Sequence, residues 1–469
     1  MFVRSMILLF SVYMILLGGT LLGAQDSPDF MKAREEAVRI LQDLIRIDTT
    51  NPPGNETKAA DYIADVLRRE GIDSEIFELE KGRGSLVARL KGNGSKEPIL
   101  LMGHTDVVGV ERDKWTVDPF EAVIQDGYLY GRGAQDDKDM VALNLELFLL
   151  LHRANLPLAR DVIYLAEAGE EGTPHVGIEF MIAEHWDRIA CEFALLEGGG
   201  IPTRNGVARY VGVSTTEKVP RRMRLIARGT SGHGSRPRPD NPIARLAAAV
   251  AKVAQYQAPI RLNETTKAFF SRLAKISQAE EAFLYNHIDD AVIGDMVQEN
   301  FRLTNLMANS VLRTSISPTI IKGGFRRNVI PAEAEAVLDI RALPDEDIDE
   351  LMAELRRVID DPLVELIPPN PDGRPVAPPS TLDSEMFDAL EDAQHEVYPE
   401  AILLPTMLTG ATDAAQLRAK GVQAYGIGPM FEESEGSRAH GNDERLVIDG
   451  LEQFLEFMYR TVVKVAVSQ

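Results

Sequence analysis

An α/β fold built on a mostly parallel central sheet, buried on both faces, is predicted by three features of the chain. Short apolar runs at 99–102, 162–166 and 193–196 read as strands covered on both sides. Helical periodicity separates them, as in alternating β and α units. The 469 residues exceed what one core usually supports, so two domains are expected, the second inserted into the first. The expected division is an N-terminal signal at 1–24, a first α/β part at 26–212, an inserted α+β domain at 213–370 and a second α/β part at 371–469.

In chain order, residues 1–24 join Arg4, an apolar run and a small-residue end at Ala24, the parts of an export signal. A helix follows from about Pro28 through Leu41 and Ile45, then the turn Thr50-Asn51-Pro52-Pro53-Gly54 and an amphipathic helix over 57–70. The second unit starts near Val213, with a strand at 222–227 and a loop at 229–239. Asn241 and Pro242 then read as cap and first turn of a helix with Ile243, Leu246, Val250 and Val253 on one face. Residues 263–314 read as a helical embellishment, 318–322 and 334–341 as strands, and 347–359 as a helix. The Pro-rich segment 368–379 reads as a stiff linker back to the first domain.

Fifty Lys and Arg face 72 Asp and Glu, a net charge of -22 that disfavours nucleic acid and anionic membrane surfaces as partners. Cys191 is the single cysteine, so no internal disulfide forms; before an apolar strand it reads as an inert, buried thiol. The signal and the lack of disulfides predict an exported, periplasmic or secreted protein with no membrane contact once the signal is cut. An uncleaved N-terminal anchor is the alternative.

Five patches carry the candidate chemistry. His104 closes a buried strand, where ligands gather in open α/β sheets, and Asp106 is placed to orient its imidazole. Asp136 precedes an apolar helix as either its cap or a metal ligand, and Gly131 and Gly133 lets a backbone approach a crowded centre. Glu170 and Glu171 are adjacent carboxylates at a strand end, which repel unless their tasks differ: one ligand and one general base. Glu197 ends a third strand, and His440 follows a fourth and a polar loop. Imidazole mixed with carboxylate suits two Zn2+, with Co2+ or Mn2+ as substitutes, and points to a co-catalytic two-zinc hydrolase. His233, in a glycine-flanked loop of the inserted domain, is a candidate donor to a developing oxyanion. His152, His175, His185, His287 and His395 lack ligand-like surroundings.

These motifs, with Asp48 to Gly54, Gly131 to Lys138, Gly232-His233-Gly234-Ser235, and Asn328-Val329-Ile330-Pro331 followed by Arg341, resemble metallopeptidase family 20 over nearly the whole chain after the signal. That family includes aminoacylase, acetylornithine deacetylase, succinyl-diaminopimelate desuccinylase and glutamate carboxypeptidase. The long insertion looks most like its carboxypeptidase S branch, which also holds N-acyl amino acid hydrolases. The resemblance implies that Asp136 bridges two zinc ions, that His104 and Glu197 complete one site and Glu171 and His440 the other, and that Glu170 is the base. It further implies that the inserted domain is a lid, with His233 polarising the scissile carbonyl and Asn328 and Arg341 holding a substrate carboxylate. Glutamate at position 197 accompanies aminoacylase and carboxypeptidase activities in the family. The expected substrate is therefore a peptide or N-acyl amino acid, cleaved at the amide beside its free α-carboxylate. A zinc aminopeptidase or dipeptidase is the enzymatic alternative, and a non-catalytic peptide-binding protein the other. Asp139 departs from the family's usual glycine, and pairing of two copies through the lid stays open.

Overall fold

The computed structural model describes residues 27–371 and 373–468. The expected signal at 1–24 lies outside them, and among the described residues no helix is long and apolar enough to cross a membrane.

Eight strands form the central sheet, in the order Ser74–Glu78, Gly84–Leu90, Val162–Glu167, Ile99–His104, Phe193–Leu196, Gln423–Gly426, Tyr210–Glu217, Ile402–Leu408. Its middle is parallel: Ile99–His104 pairs in parallel with both Val162–Glu167 and Phe193–Leu196, which in turn pairs with Gln423–Gly426. Tyr210–Glu217 and Ile402–Leu408 are also parallel. The sheet is nevertheless mixed, because Ser74–Glu78, Gly84–Leu90 and Val162–Glu167 pair antiparallel, as do Tyr210–Glu217 and Gln423–Gly426. The link 79–83 is too short for the crossover that a parallel neighbour needs.

Alternation along the strands fills two cores. Ile99, Leu101, Val162, Tyr164 and Ala166 point to one side, packed by the helices Phe30–Arg46, Glu56–Arg69, Lys138–Ala154, Glu385–Val397 and Leu451–Ala466. Leu100, Met102, Ile163 and Leu165 point to the other, against Ile178, Met181, Ala414 and Leu417. Strands buried on both faces explain the continuous apolar runs of the sequence. Cys191 packs at the edge of the second core, and burial pushes its thiol up to about 12.

A second, antiparallel sheet is built from Val219–Pro220, Met223–Arg228, Ser315–Gly323, Glu333–Ala342 and Val364–Ile367. Strict alternation along Glu333–Ala342 turns Ala336, Leu338 and Ile340 onto the helices Pro242–Gln255 and Ile348–Ile359. Both helices start at side-chain caps: Asn241 accepts from Ile243 N, and Asp347 from Asp349 and Glu350 N. Val213, near which the second unit was expected to begin, lies within Tyr210–Glu217 of the central sheet; the chain passes between the sheets at Lys218. Within 229–239 the pair Gly232–His233 forms a short ladder with Val329–Ile330. The 263–314 stretch is helical, as Glu264–Ile276, Ala279–Tyr285, Gly294–Thr304 and Leu306–Leu312. Its own small core, with Phe270, Val297, Phe301 and Val311, reaches Met407 of the central sheet.

Arg418 ties the central sheet to the returning chain. Its buried guanidinium donates to Glu217 Oε2 (3.2 Å), Ser214 O (3.3 Å), Ala424 O (2.8 Å) and, through Nε, to Ser380 Oγ (3.3 Å). Arg418→Ala would take away the cation paired with the buried Glu217 carboxylate and leave it only the neutral donors of Thr412, and a destabilisation of about 3–5 kcal/mol is expected in denaturant unfolding. A loss below about 1 kcal/mol would show that water repairs the site.

Candidate metal centre

Parallel pairing of Gly103 with Ala166 and of His104 with Glu167 aligns the carboxyl ends of two central strands. The loop 168–172 and Glu197, at the end of Phe193–Leu196, open at the same edge. Gly103 is required there: a Cβ would lie 2.9 Å from both Asp137 Oδ2 and Val141 N. Its absence lets the start of helix Lys138–Ala154 approach, so that Asp137 Oδ2 accepts the His104 backbone N–H at 3.1 Å.

The imidazole of His104 is buried and oriented. Nδ1 faces the Asp106 carbonyl at 3.0 Å and its carboxylate at 3.4 Å, which turns Nε2 towards Asp136 Oδ1 at 3.0 Å and Glu197 Oε1 at 3.9 Å. Asp136 does not cap the helix; its second oxygen lies 3.0 Å from His440 Nε2. His440 Nε2 also meets Glu171 Oε1 at 2.7 Å. One carboxylate thus stands between two imidazoles, each with a further glutamate beside it. Ligand atoms of His104, Asp136 and Glu171 lie within 4.8 Å of one another, and so do those of His104, Glu170 and Glu197.

Asp106 has a larger task than orienting the ring. Its carboxylate accepts the backbone N–H groups of Gly169 (3.0 Å), Glu170 (3.1 Å) and Glu171 (3.0 Å), with Asn51 Nδ2 at 2.8 Å. These bonds fix the acidic couplet, and Gly169, at φ +84, permits the turn that presents it. Asn51 also donates to Glu171 O and Thr173 Oγ1, so the Asn-Pro-Pro turn braces the same loop.

Electrostatics match a cation site. Burial pushes Glu197 well above the usual carboxylate range, and its carboxylate has no hydrogen-bond donor among the described residues. Glu170 is pushed up to about 8 by burial first, with Asp413 adding to the shift and Arg374 opposing it. Burial acts to raise Asp136 too, but the hydrogen bonds to His104 and His440 outweigh it and hold the group low. Hydrogen bonds to Asp136 and Glu171 raise His440 to about 10. Acids clustered around two imidazoles form a donor set that a divalent ion would stabilise by taking the place of protons. Two imidazoles with several carboxylates fit zinc.

Several supports escaped the sequence reading. Arg132, between the two glycines, is buried against Glu444 and donates to His440 O (3.3 Å) and Gly441 O (3.2 Å). Glu444 accepts from Gln135 N at 2.8 Å, so this pair locks the His440 loop to the Asp136 turn. Arg374 pairs with Glu170, and Asp413 stands 3.2 Å behind it. Asp139 is buried with Oδ1 unpartnered, and burial pushes its carboxyl well above the usual range.

The candidates on the second sheet stand apart. His233 is exposed and its Nδ1 meets Ser235 Oγ at 2.7 Å. Asn328 is its neighbour through the Gly234 N to Asn328 O bond of 2.9 Å. Arg341 sits opposite Pro220, beside the crossing between sheets, and its guanidinium is paired with Asp339 of the same strand at 3.0 Å. Among the described residues none of the three bonds to the acidic centre. Of the other histidines, His152 meets Glu70 O, His175 approaches Glu80, His185 packs on Phe77 and Phe180, and His287 meets Phe283 O.

Known proteins resemble this chain over most of its length. The family model described as peptidase family M20/M25/M40 matches residues 100–464. The human N-fatty-acyl-amino acid synthase/hydrolase PM20D1 is 30% identical over 459 residues, which cover 94% of this chain and 89% of that protein. The probable carboxypeptidase S-like 2 of Dictyostelium discoideum is 30% identical over 388 residues, 81% of this chain and 74% of that protein. Among solved structures, the M20 family metallo-carboxypeptidase Sso-CP2 from Sulfolobus solfataricus superimposes with a TM-score of 0.68 at 18% identity, covering 92% of this chain and 99% of that one, a likeness of fold.

Proposed function

This chain belongs to peptidase family M20/M25/M40, and we propose that it is a co-catalytic two-zinc hydrolase cleaving an amide bond beside a free α-carboxylate, in a C-terminal peptide bond or an N-acyl amino acid. The observation that carries this reading is Asp136, whose two oxygens each lie 3.0 Å from a histidine Nε2. His104 and Glu197 would hold one ion, Glu171 and His440 the other, with Asp136 shared. When bound, the pair would polarise the scissile carbonyl and lower the pKa of the attacking water.

The protein's own groups would do the rest. Glu170 takes a proton from the attacking water and returns it to the leaving amine, which is why two adjacent glutamates have separate tasks. The segment from about Lys218 to Asn370 acts as a lid inserted between the two parts of the catalytic domain. Its closure brings His233 to the developing oxyanion and Asn328 and Arg341 to the substrate carboxylate. Arg341 then exchanges Asp339 for the substrate, since a planar guanidinium binds either carboxylate at two points. The relatives named for carboxypeptidase S and for N-fatty-acyl amino acids support a substrate with a free carboxylate and no need of a free amine. Residues 1–24 would export the protein.

Hydrolysis of matched substrates tests the reading. An N-acyl amino acid and an amine-blocked dipeptide should be cleaved, and their C-terminal amides poorly. Cleavage confined to free-amine peptides would favour the aminopeptidase or dipeptidase alternative. Arg341→Lys keeps charge but loses the fork, so KM should rise for free acids and barely change for amides. His233→Ala should instead lower kcat by roughly 10²–10³-fold. An equal loss for acids and amides in Arg341→Lys contradicts carboxylate recognition by that residue.

A further inference from the structure

We propose that Arg374 is a positioning residue that clamps the Glu170 carboxylate by one oxygen, leaving the other to face the attacking water. The inference rests on the reading of Glu170 as the base, and it gives the Pro-rich return segment a part in catalysis.

The guanidinium and the carboxylate it holds are both largely buried, at 15% and 10% side-chain exposure. Arg374 Nη2 pairs with Glu170 Oε1, and Nη1 stands 3.2 Å from Asp413 Oδ1, whose side chain is 1% exposed. Glu170 makes no other side-chain hydrogen bond among the described residues, so without Arg374 nothing fixes its terminal torsions. The acids that face it are Asp413, Glu171 and Glu197, and the cations are Arg374 and His104. Behind the clamp, the oxygens of Asp413 and Glu167 are buried without a hydrogen-bond donor. Arg374 stands among these groups with a hydrogen bond to Glu170 and an ion-pair contact to Asp413, and a planar guanidinium set between two carboxylates is restrained in orientation.

Chain geometry places the clamp with purpose. The Arg374 carbonyl accepts Arg221 Nη1 at 3.0 Å, and Arg221 N donates to Ile340 O at 2.7 Å. The two segments that connect the sheets, 218–221 and 368–379, therefore meet at Arg374, one bond from Glu170. A base displaced by about 1 Å loses on the order of 10²-fold in rate.

The test compares Arg374→Ala and Arg374→Lys with Glu170→Gln, all loaded with zinc. For Arg374→Ala the expected result is full zinc content, a near-native melting curve, KM within about threefold and kcat lower by about 10- to 100-fold. Arg374→Lys should recover part of the loss, and guanidinium ion at subdenaturing concentration should restore Arg374→Ala while leaving the parent enzyme unchanged. A crystal structure of Arg374→Ala should show Glu170 in more than one rotamer. The inference is overturned if kcat is unchanged, if zinc is lost, or if KM rises while kcat holds, which would make Arg374 a substrate-binding group. An active Glu170→Gln overturns the base reading itself; a crippled Glu170→Gln beside a normal Arg374→Ala removes only the clamp.

Discussion

Glu170→Gln is expected to retain both zinc ions while turnover falls by about two to four orders of magnitude, the scale on which a positioned acid-base group contributes. The amide is nearly isosteric and can still accept from Arg374, so the loop and the ligands should stay in place. It cannot take a proton from water. Because only the chemical step is affected, KM should change little and the variant should trap substrate for structure determination. Loss of zinc would mean that Glu170 is a ligand and Glu171 the base, an exchange that the closeness of Glu170 to His104 and Glu197 makes worth testing. Near-normal activity would remove the base assignment altogether.

Asp136→Ala should have the larger effect. Its carboxylate separates two imidazoles, and in the proposed centre it is the one anion shared by both ions. Without it two dications would face each other with no bridging charge, so zinc content should fall and activity should disappear. The variant should still fold, because Asp136 caps no helix and the Arg132–Glu444 pair holds the neighbouring turn independently. A fully loaded, active Asp136→Ala protein would contradict a shared ligand.

What the sequence revealed follows from the range over which its signals act. Strand ends are local, so apolar runs leading to His104, Glu170 and Glu197 could be read directly, and the helical cap at Asn241 and the helix starting at Asp347 were visible for the same reason. Mixed pairing was not visible, because the reading took the buried runs as parallel and the short link 79–83 shows its consequence only once its flanking strands are known. Arg374 escaped notice since a Pro-rich segment has no periodicity to say which side chain turns inward. Glu444 meets the site through Gln135, 309 residues away in the chain, and Asp413 meets it through Arg374, which the Pro-rich segment had already hidden. Asp106 was legible as a partner of His104, two residues away, but its hold on the backbone of Gly169, Glu170 and Glu171 depends on two strands lying side by side. His233, Asn328 and Arg341 could be named by motif; their distance from the acidic centre here could not be read, since it depends on how the two sheets stand relative to each other.

The most direct test of the two-zinc reading is anomalous diffraction at the zinc edge from crystals of the zinc-loaded protein. The account predicts two peaks of comparable height, about 3.5–4 Å apart, flanking the Asp136 carboxylate, one beside His104 and Glu197 and the other beside His440 and Glu171. A single peak in fully active protein, or two peaks elsewhere in the molecule, would contradict it.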